Sequence, residues 1–340
     1  MYIAAAFASA SIGYNTVVAE VIASAHDRYI SRDVLAAYAQ WVLTVCRLDF
    51  KKVTTEDLGL IAPYFAQKKA VISDHSILYL HMWGALLGTE YAIDGDVLFL
   101  RRNGKHGISY YPPLAMGEVG LAARISRLAL LGEAQISLSA VPAHAVEEIE
   151  RAQHVVEKST SRRWADYIYS AQDLATLQGH RYNKKRNLVH QFERLYPLHA
   201  YEDITAENLA EVVVFMQSFM QEDRTNEDKN YENERVLCIL AEYDRLPAIG
   251  GLLRVEGRVV AFTVAEHIDD TLLVHVEKAD RRFKGVYQYI NYRFVREQLQ
   301  KRNFQFVNRE DDAGDEGLRQ AKLSYCPVEI LHKYRMVLEF

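Results

Sequence analysis

The sequence predicts an α/β (α+β) protein with two tandem domains, each a mixed, mainly antiparallel sheet flanked by helices. Three observations predict this fold. A short helix-starting pattern occurs twice, each copy precedes an antiparallel meander, and each meander is followed by a helix and a further strand. The domains are expected at residues 49–197 and 198–340, after a helical extension at residues 1–48.

The repeated pattern is the first of these observations. Residues 53–58 are matched 151 positions later by residues 204–209, with a β-branched residue, a Thr that can cap a helix, an acidic first turn and a Leu. Each copy runs into an apolar helix, at residues 60–65 and 212–219. The repetition therefore indicates a duplicated domain.

The two meanders are read from short apolar runs separated by turn residues. In the first half, Asp94-Gly95 and Asn103-Gly104 are strong hairpin turns. The predicted strands are residues 90–93, 97–100, 108–111, 249–255, 258–267 and 271–276. The helices that follow are predicted at residues 118–131 and 286–302, and the final strands at residues 135–141 and 304–308.

Composition limits the class of protein. With 340 residues, 49% of them hydrophobic and 25% charged, the chain is expected to be globular with a core in each domain. A formal charge of −5 argues against a DNA-binding protein. No apolar run approaches the roughly 18 residues needed to cross a bilayer. Three widely spaced cysteines favour a reducing cytoplasm.

A basic turn precedes the second of the long helices. The helix is predicted from Val286, Ile290 and Phe294 on one face. The first N–H groups of a helix lack partners and its dipole is positive there, so a phosphate-bearing donor is expected to bind at this turn. The predicted donor-binding residues are Arg281, Arg282, Lys284, Gly285 and Val286. A bulky residue at Gly285 is expected to block the donor with little effect on folding. The alternative is an ordinary solvated turn.

The element order resembles the GNAT acyltransferase fold, in which a pantetheine pyrophosphate binds a turn of the form R/Q-x-x-G-x-G/A. The corresponding segment here is residues 282–287, and Tyr287 stands where that pattern has Gly or Ala.

A closer resemblance is to the family named for the C-terminal domain of phosphatidylglycerol lysyltransferase, whose members carry two GNAT-like domains in tandem. Three stretches carry it: residues 73–83, 166–192 and 306–327. The third contains Asn308-Arg309-Glu310-Asp311 and Ala321-Lys322-Leu323-Ser324-Tyr325. The resemblance covers about residues 50–340 and implies an acyl- or aminoacyl-transferase.

Catalytic residues are expected in the third stretch. Glu310 or Asp311 would accept a proton from an amine acceptor or hold its ammonium group, unless they lie in a solvated loop. Lys322 would pair with a donor phosphate or with charge that develops on the carbonyl oxygen. Tyr325 would protonate the leaving group, the alternative being a packing role.

A basic segment near the junction of the halves is expected to contact aminoacyl-tRNA or an anionic lipid headgroup. The alternative is the solvated face of an amphipathic helix. This acceptor or tRNA patch consists of Lys184, Lys185, Arg186 and Asn187, with Asn308 and Arg309. The histidines show no metal-ligand grouping, so neither a metal nor a permanently bound cofactor is expected.

The expected reaction is transfer of an acyl or aminoacyl group to an amine or hydroxyl acceptor, which could be a small molecule, a lipid or a peptide. The acceptor would attack a thioester or ester directly, with acyl-CoA or aminoacyl-tRNA as the donor. The alternative is a non-catalytic ligand-binding module that retains the fold.

Overall fold

A computed structural model describes residues 48–66, 72–104, 107–222 and 227–340. The helical extension predicted for residues 1–48 therefore lies outside the described residues, apart from its last position. The predicted fold class is confirmed, because two mixed, mainly antiparallel sheets are flanked by helices. Within the described ranges, no helix is both long enough and apolar enough to span a bilayer.

The helices of the described chain follow the expected order. They are α1 (Leu58–Phe65), α2 (Ile77–Trp83), α3 (Leu121–Ser126), α4 (Ala143–Ala152), α5 (Ala171–Thr176), α6 (Asn183–Leu195), α7 (Leu209–Glu222), α8 (Glu227–Ala241), α9 (Val286–Lys301) and α10 (Glu316–Leu323). Thr54 caps the short 3-10 helix Thr55–Asp57, which leads into α1, through a capping box with Asp57, as its pattern predicts.

The strands of the described chain lie singly or in groups among these helices. They are β1 (Lys51–Lys52), β2 (Thr89–Asp94), β3 (Val97–Gly104), β4 (Gly107–Tyr110), β5 (Leu114–Ala115), β6 (Gln135–Pro142), β7 (His154–Thr160), β8 (Asp166–Ser170), β9 (His199–Asp203), β10 (Ile249–Val255), β11 (Arg258–Ile268), β12 (Thr271–Ala279), β13 (Phe306–Asn308), β14 (Glu329–Leu331) and β15 (Lys333–Glu339).

Both predicted meanders are present. The first sheet has the order β1-β2-β3-β4-β6-β15-β7, with β5 paired to β3. The second has the order β14-β8-β13-β12-β11-β10-β9. In the second sheet β10, β11 and β12 form the antiparallel meander, and β13 lies parallel to β12 after α9.

The described chain separates into two compact units that are not contiguous in sequence. One contains residues 48–51, 90–159 and 335–340, and the other contains residues 52–89 and 160–334. The units are not contiguous because β8 and β14 join the second sheet, whereas β15 joins the first. The domain boundary expected near residue 197 stays a prediction.

The core of the second unit forms around α9. This helix packs against α5, α6 and β11. Its predicted apolar face, Val286, Ile290 and Phe294, is buried. Strands β11 and β12 are buried over most of their length, as expected for central strands covered on both faces.

The second sheet opens beside β12. Parallel pairing of β12 with β13 ends at Leu273 and Asn308, whereas β12 continues to Ala279. The chain after β13 stays with β8 instead, because Arg309 N donates to Tyr167 O and Tyr167 N donates to Glu310 O, both at 3.1 Å. We call the space between residues 274–279 and residues 309–310 the strand opening.

Candidate active site

A β-bulge places His275 at the strand opening. Val276 pairs with Val264 and Val274 pairs with Ala265, so His275 is the extra residue on β12. Its side chain is fully buried, and its Nδ1 lies 2.7 Å from Oε1 of Glu310. The Glu310 side chain is 24% exposed. The bulge therefore fixes a carboxylate that solvent or a substrate can still reach.

The other edge of the His275 ring faces a second carboxylate. Nε2 lies 3.5 Å from Ser76 Oγ and 3.9 Å from Glu266 Oε2. Glu266 accepts hydrogen bonds from the backbone N–H groups of Ile77 and Leu78, at 3.2 and 2.8 Å. Burial raises the pKa of Glu266, although His275 and these amides oppose the shift. Each ring nitrogen of His275 thus has an oxygen acceptor beside it.

An ion pair between Arg309 and Glu277 also crosses the strand opening. Arg309 Nη2 lies 3.1 Å from Glu277 Oε1, and Asn291 Nδ2 donates to the other Glu277 oxygen at 3.1 Å. The guanidinium carbon of Arg309 lies 4.9 Å from the ring centre of Tyr325. Both side chains of the pair are more than 85% buried, so the pair is better shielded from salt than a surface pair.

Lys185 reaches the same place from α6. Its Nζ lies 4.0 Å from the ring centre of Tyr325. Burial, followed by the nearby charge of Arg309, lowers the pKa of Lys185 to about 8. Among the residues that the structure describes, no carboxylate or carbonyl accepts a hydrogen bond from its amine.

The other three α6 residues of the predicted patch have different surroundings. Lys184 and Asn187 are exposed on α6. Arg186 donates to the carbonyl oxygens of Leu177 and Gly179 and so closes the preceding turn. Of residues 184–187, it is therefore Lys185 that the structure brings to Arg309.

Lys322 organises the loop that carries Glu310. Its Nζ donates to the backbone carbonyl oxygens of Arg309, at 2.6 Å, and of Asp311. Burial lowers the pKa of Lys322 to about 8. These bonds give Lys322 a positioning function, and its predicted pairing with developing charge stays a prediction.

The two aspartates after Glu310 differ in their surroundings. Asp311 accepts a hydrogen bond from Ala313 N at 2.9 Å, and burial raises its pKa to about 7. Asp312 is fully buried, accepts from the Tyr167 hydroxyl at 2.6 Å and pairs with Arg319 at 2.9 Å. Asp312 therefore has a structural function in the loop after β13.

A buried ionic network lies behind the loop. Lys333 Nζ contacts Asp74 Oδ2 at 2.7 Å and Asp166 Oδ1 at 2.8 Å. Asp166 also accepts from Asn308 Nδ2 at 3.0 Å, and Asn308 Oδ1 accepts from Glu310 N at 2.7 Å. Burial alone would lower the pKa of Lys333, but the charges of Asp166 and Asp74 raise it well above its usual range. The network thereby supports the backbone of Glu310.

Several hydrogen-bond donors of the basic turn before α9 already have partners within the chain. Arg282 donates from its backbone N and from its guanidinium to the carboxylate of Asp280, at 2.9 and 2.6 Å. Lys284 N donates to the Tyr196 hydroxyl at 3.1 Å. Arg281 and Lys284 have exposed side chains, and Val286 is buried. Donor binding by this turn stays a prediction.

Gly285 has a structural explanation. Its φ is +81°, and a Cβ at this position would overlap the carbonyl oxygen of Leu188 on α6. The expectation that a bulky residue here would leave folding almost unaffected is therefore wrong, because the close approach of two backbones needs the glycine. The glycine serves helix packing at this turn.

An apolar groove lies beside the same turn. It has a volume of about 660 Å³ and runs between α7 and the start of β11. Its lining includes Val214, Phe215, Phe219, Val260 and Phe283. No residue of the strand opening contributes to this lining.

The structure brings together five residues that were predicted from the sequence: Glu310, Arg309, Lys322, Tyr325 and Lys185. The carboxylates and the histidine of the strands were not among the predicted site residues. His275 and Glu277 follow an apolar run in β12, and Glu266 interrupts an apolar run in β11. Polar residues within a central strand are the signal that could have identified them.

Comparisons with known proteins agree with this fold. A crystal structure of a conserved protein of unknown function from Bacteroides thetaiotaomicron is 31% identical, with a TM-score of 0.77, over 86% of this chain and 100% of that chain. L-PGS from Bacillus licheniformis has a TM-score of 0.57 at 14% identity, over 84% of this chain and 92% of that chain, which shows similarity of fold alone.

A curated relative is an uncharacterized protein of Mycoplasmoides gallisepticum, 25% identical over 174 residues. The match covers 50% of this chain and 54% of that relative, so the chain spans about half the length of the curated relative it matches.

The family model described as "Phosphatidylglycerol lysyltransferase, C-terminal" matches residues 65–337. This range includes the strand opening, the buried ionic network and most of the described chain. The chain therefore belongs to the phosphatidylglycerol lysyltransferase C-terminal domain family.

Proposed function

We propose that the strand opening of the second unit transfers an acyl or aminoacyl group to an amine or hydroxyl acceptor. One observation carries the proposal: β12 and β13 separate after Leu273 and Asn308, and the side-chain contacts His275–Glu310 and Glu277–Arg309 cross the resulting space. The description of the family, which names lysyl transfer, supports the same class of reaction.

The opening suits an extended donor. Beyond Leu273, no described strand pairs with the β13-facing edge of β12. An unpaired strand edge offers N–H and C=O groups to an extended ligand. A donor bound along this edge would lie beside Glu310 and Arg309, so its reactive carbonyl could be placed next to a base and a cation.

The proposed step is a direct displacement. The acceptor nitrogen or oxygen bonds to the carbonyl carbon of the donor, and the C–O or C–S bond of the ester or thioester breaks. Glu310 takes the proton that the acceptor loses, because its carboxylate is accessible and is held by His275. Arg309 stabilises the negative charge on the carbonyl oxygen.

Aminoacyl-tRNA is the favoured donor, and it would place the reaction in the cytoplasm. A CoA pyrophosphate would need the basic turn before α9, but Asp280 already pairs with Arg282 there. The amide of Lys284 has an internal partner, and the space above Gly285 is filled by α6. These contacts support an ester donor that does not depend on this turn.

The acceptor belongs to the class of amines and hydroxyls on small molecules, peptides or lipids. The family description names phosphatidylglycerol, so vesicles of that lipid are the first acceptor to test. Small amines and peptides form the second panel.

The test is a transfer assay with the full chain. tRNA charged with radiolabelled amino acids, and separately radiolabelled acetyl-CoA, is incubated with each acceptor, and acceptor-dependent loss of label from the donor is measured. We expect transfer from aminoacyl-tRNA that Glu310→Gln reduces by about 100-fold or more and that Glu193→Gln, an exposed position on α6, leaves unchanged. Donor binding without turnover would instead support the binding-module alternative.

A further inference from the structure

We propose that Lys185 supplies the proton that the leaving group of the donor takes up as its bond to the carbonyl carbon breaks. This inference rests on the proposed transfer reaction and assigns its acid. It replaces Tyr325 in that role and separates Lys185 from the basic segment in which it lies.

The amine of Lys185 lies beside the residues proposed to carry out the transfer. Lys185 extends from α6 over the ring of Tyr325, with Nζ 4.0 Å from the ring centre. Arg309, which borders the strand opening, contacts the same ring at 4.9 Å. The same ring thus contacts both the Lys185 amine and the cation proposed to face the donor carbonyl.

Lys185 also differs from the two buried lysines near the loop in its hydrogen bonding. Lys322 donates to two carbonyl oxygens, and Lys333 is held by two aspartates. In contrast, Lys185 has no hydrogen-bond acceptor within the described part of the chain. Its N–H groups are therefore available to a bound ester oxygen or thioester sulfur.

The charges around Lys185 suit proton release near neutral pH. Burial is the largest cause of its lowered pKa of about 8, and Arg309 at the end of β13 adds repulsion. Glu277 on β12 and Cys326 after α10 act in the opposite direction. An acid works best when its pKa lies near the working pH.

Tyr325 and Arg309 are less suitable than Lys185 as the proton donor to the leaving group. Burial raises the pKa of Tyr325, so its hydroxyl holds its proton more tightly than usual. Arg309 keeps its charge at all working pH values. Tyr325 is therefore a positioning residue for Lys185 and Arg309.

The proton balance closes without another reactant. The acceptor gives one proton to Glu310 as its new bond forms. The leaving oxygen or sulfur takes one proton from the Lys185 ammonium, which becomes a neutral amine. Solvent then carries a proton from Glu310 back to Lys185, so both groups return to their starting states.

The first measurement is the pH profile of kcat for the wild type, Lys185→Arg and Lys52→Arg. The wild-type kcat should fall above pH about 8, because the acid must be protonated. Lys185→Arg keeps the positive charge but releases no proton, so kcat should fall about 100-fold or more with little change in KM. Lys52→Arg is the control, since Lys52 is exposed on β1 and has no part in the proposed reaction. An unchanged kcat in Lys185→Arg would overturn the proposal.

A second measurement does not depend on activity. Trace acetylation of the native protein between pH 6 and 11, followed by peptide mass spectrometry, gives the titration midpoint of each lysine. Lys185 should react with a midpoint near 8, below the ordinary lysine value of about 10.4. A midpoint at that ordinary value would overturn the inference even if transfer occurs. Absence of transfer with a lowered Lys185 midpoint would instead refute the proposed function, and with it the assigned step.

Discussion

His275 Nδ1 lies 2.7 Å from Glu310 Oε1 and joins the bulge of β12 to the loop after β13. Glu310 has a φ of +56°, in the left-handed region that residues with a side chain rarely adopt. Asn308 and Lys322 hold the same loop from behind. An unfavourable backbone conformation maintained by several independent bonds is typical of a functional position.

Glu310→Gln should reduce kcat for transfer by about 100- to 10,000-fold, because the amide cannot accept the proton of the acceptor. His275→Gln should cause a smaller loss, since Glu310 stays ionisable but is less well oriented. The thermal midpoint of each variant, measured beside kcat, separates lost chemistry from lost folding. Full activity in Glu310→Gln would contradict the assignment.

Gly285→Ala should destabilise the protein more than Gly257→Ala does. The two glycines have nearly the same φ, +81° and +79°, so both substitutions carry a backbone cost of about 1–2 kcal/mol. Gly257 has open space around it, whereas a Cβ at Gly285 meets Leu188. We expect an additional loss of roughly 1–3 kcal/mol for Gly285→Ala in urea denaturation. Equal losses of unfolding free energy in the two variants would contradict this prediction, because they would show that α6 moves to accommodate the added methyl group at no cost.

Lys333→Met should cost about 3–5 kcal/mol of the free energy of unfolding, because it leaves Asp74 and Asp166 buried without their cation. Lys301→Met is the matched control, since its pair with Asp203 is exposed and should contribute at most about 1 kcal/mol. A similar small loss in both variants would contradict a supporting function for the network.

Asp311→Asn should change how stability depends on pH. Burial raises the pKa of Asp311 to about 7 in the folded chain from its ordinary 3.8, so the folded state retains a proton that the unfolded state releases. The contribution of Asp311 therefore falls as pH rises between about 4 and 7. Relative to the wild type, Asp311→Asn should become more stable across that window, on the order of 1 kcal/mol or more, and level off above it. If the difference in unfolding free energy between Asp311→Asn and the wild type stayed constant with pH, the raised pKa of Asp311 would be refuted.

Local patterns in the sequence were sufficient for the elements around the site. The turn residues and apolar runs of residues 249–276 predicted β10, β11 and β12, and the spacing of Val286, Ile290 and Phe294 predicted α9. These features depend on neighbours within a few positions, so they can be read from the chain directly. The motif at residues 308–325 also indicated Glu310, Arg309, Lys322 and Tyr325.

The partners of those residues were decided by tertiary structure. Lys333 and Asp166 are 167 positions apart, and His275 and Glu310 are 35 positions apart. No periodicity encodes such pairs, because they form when strands from distant parts of the chain meet in one sheet. The need for glycine at position 285 could not be predicted for the same reason, because it arises from the close approach of Leu188 on α6.

The sequence by itself determined the fold class, the family resemblance and the segment in which the candidate catalytic residues lie. The tertiary structure decided that Lys185, rather than the whole basic patch, approaches Arg309 and Tyr325, and that His275 holds Glu310. The physical reason is that secondary structure follows from short-range periodicity and turn chemistry, whereas the protonation and orientation of a side chain follow from the burial and charge that distant segments impose.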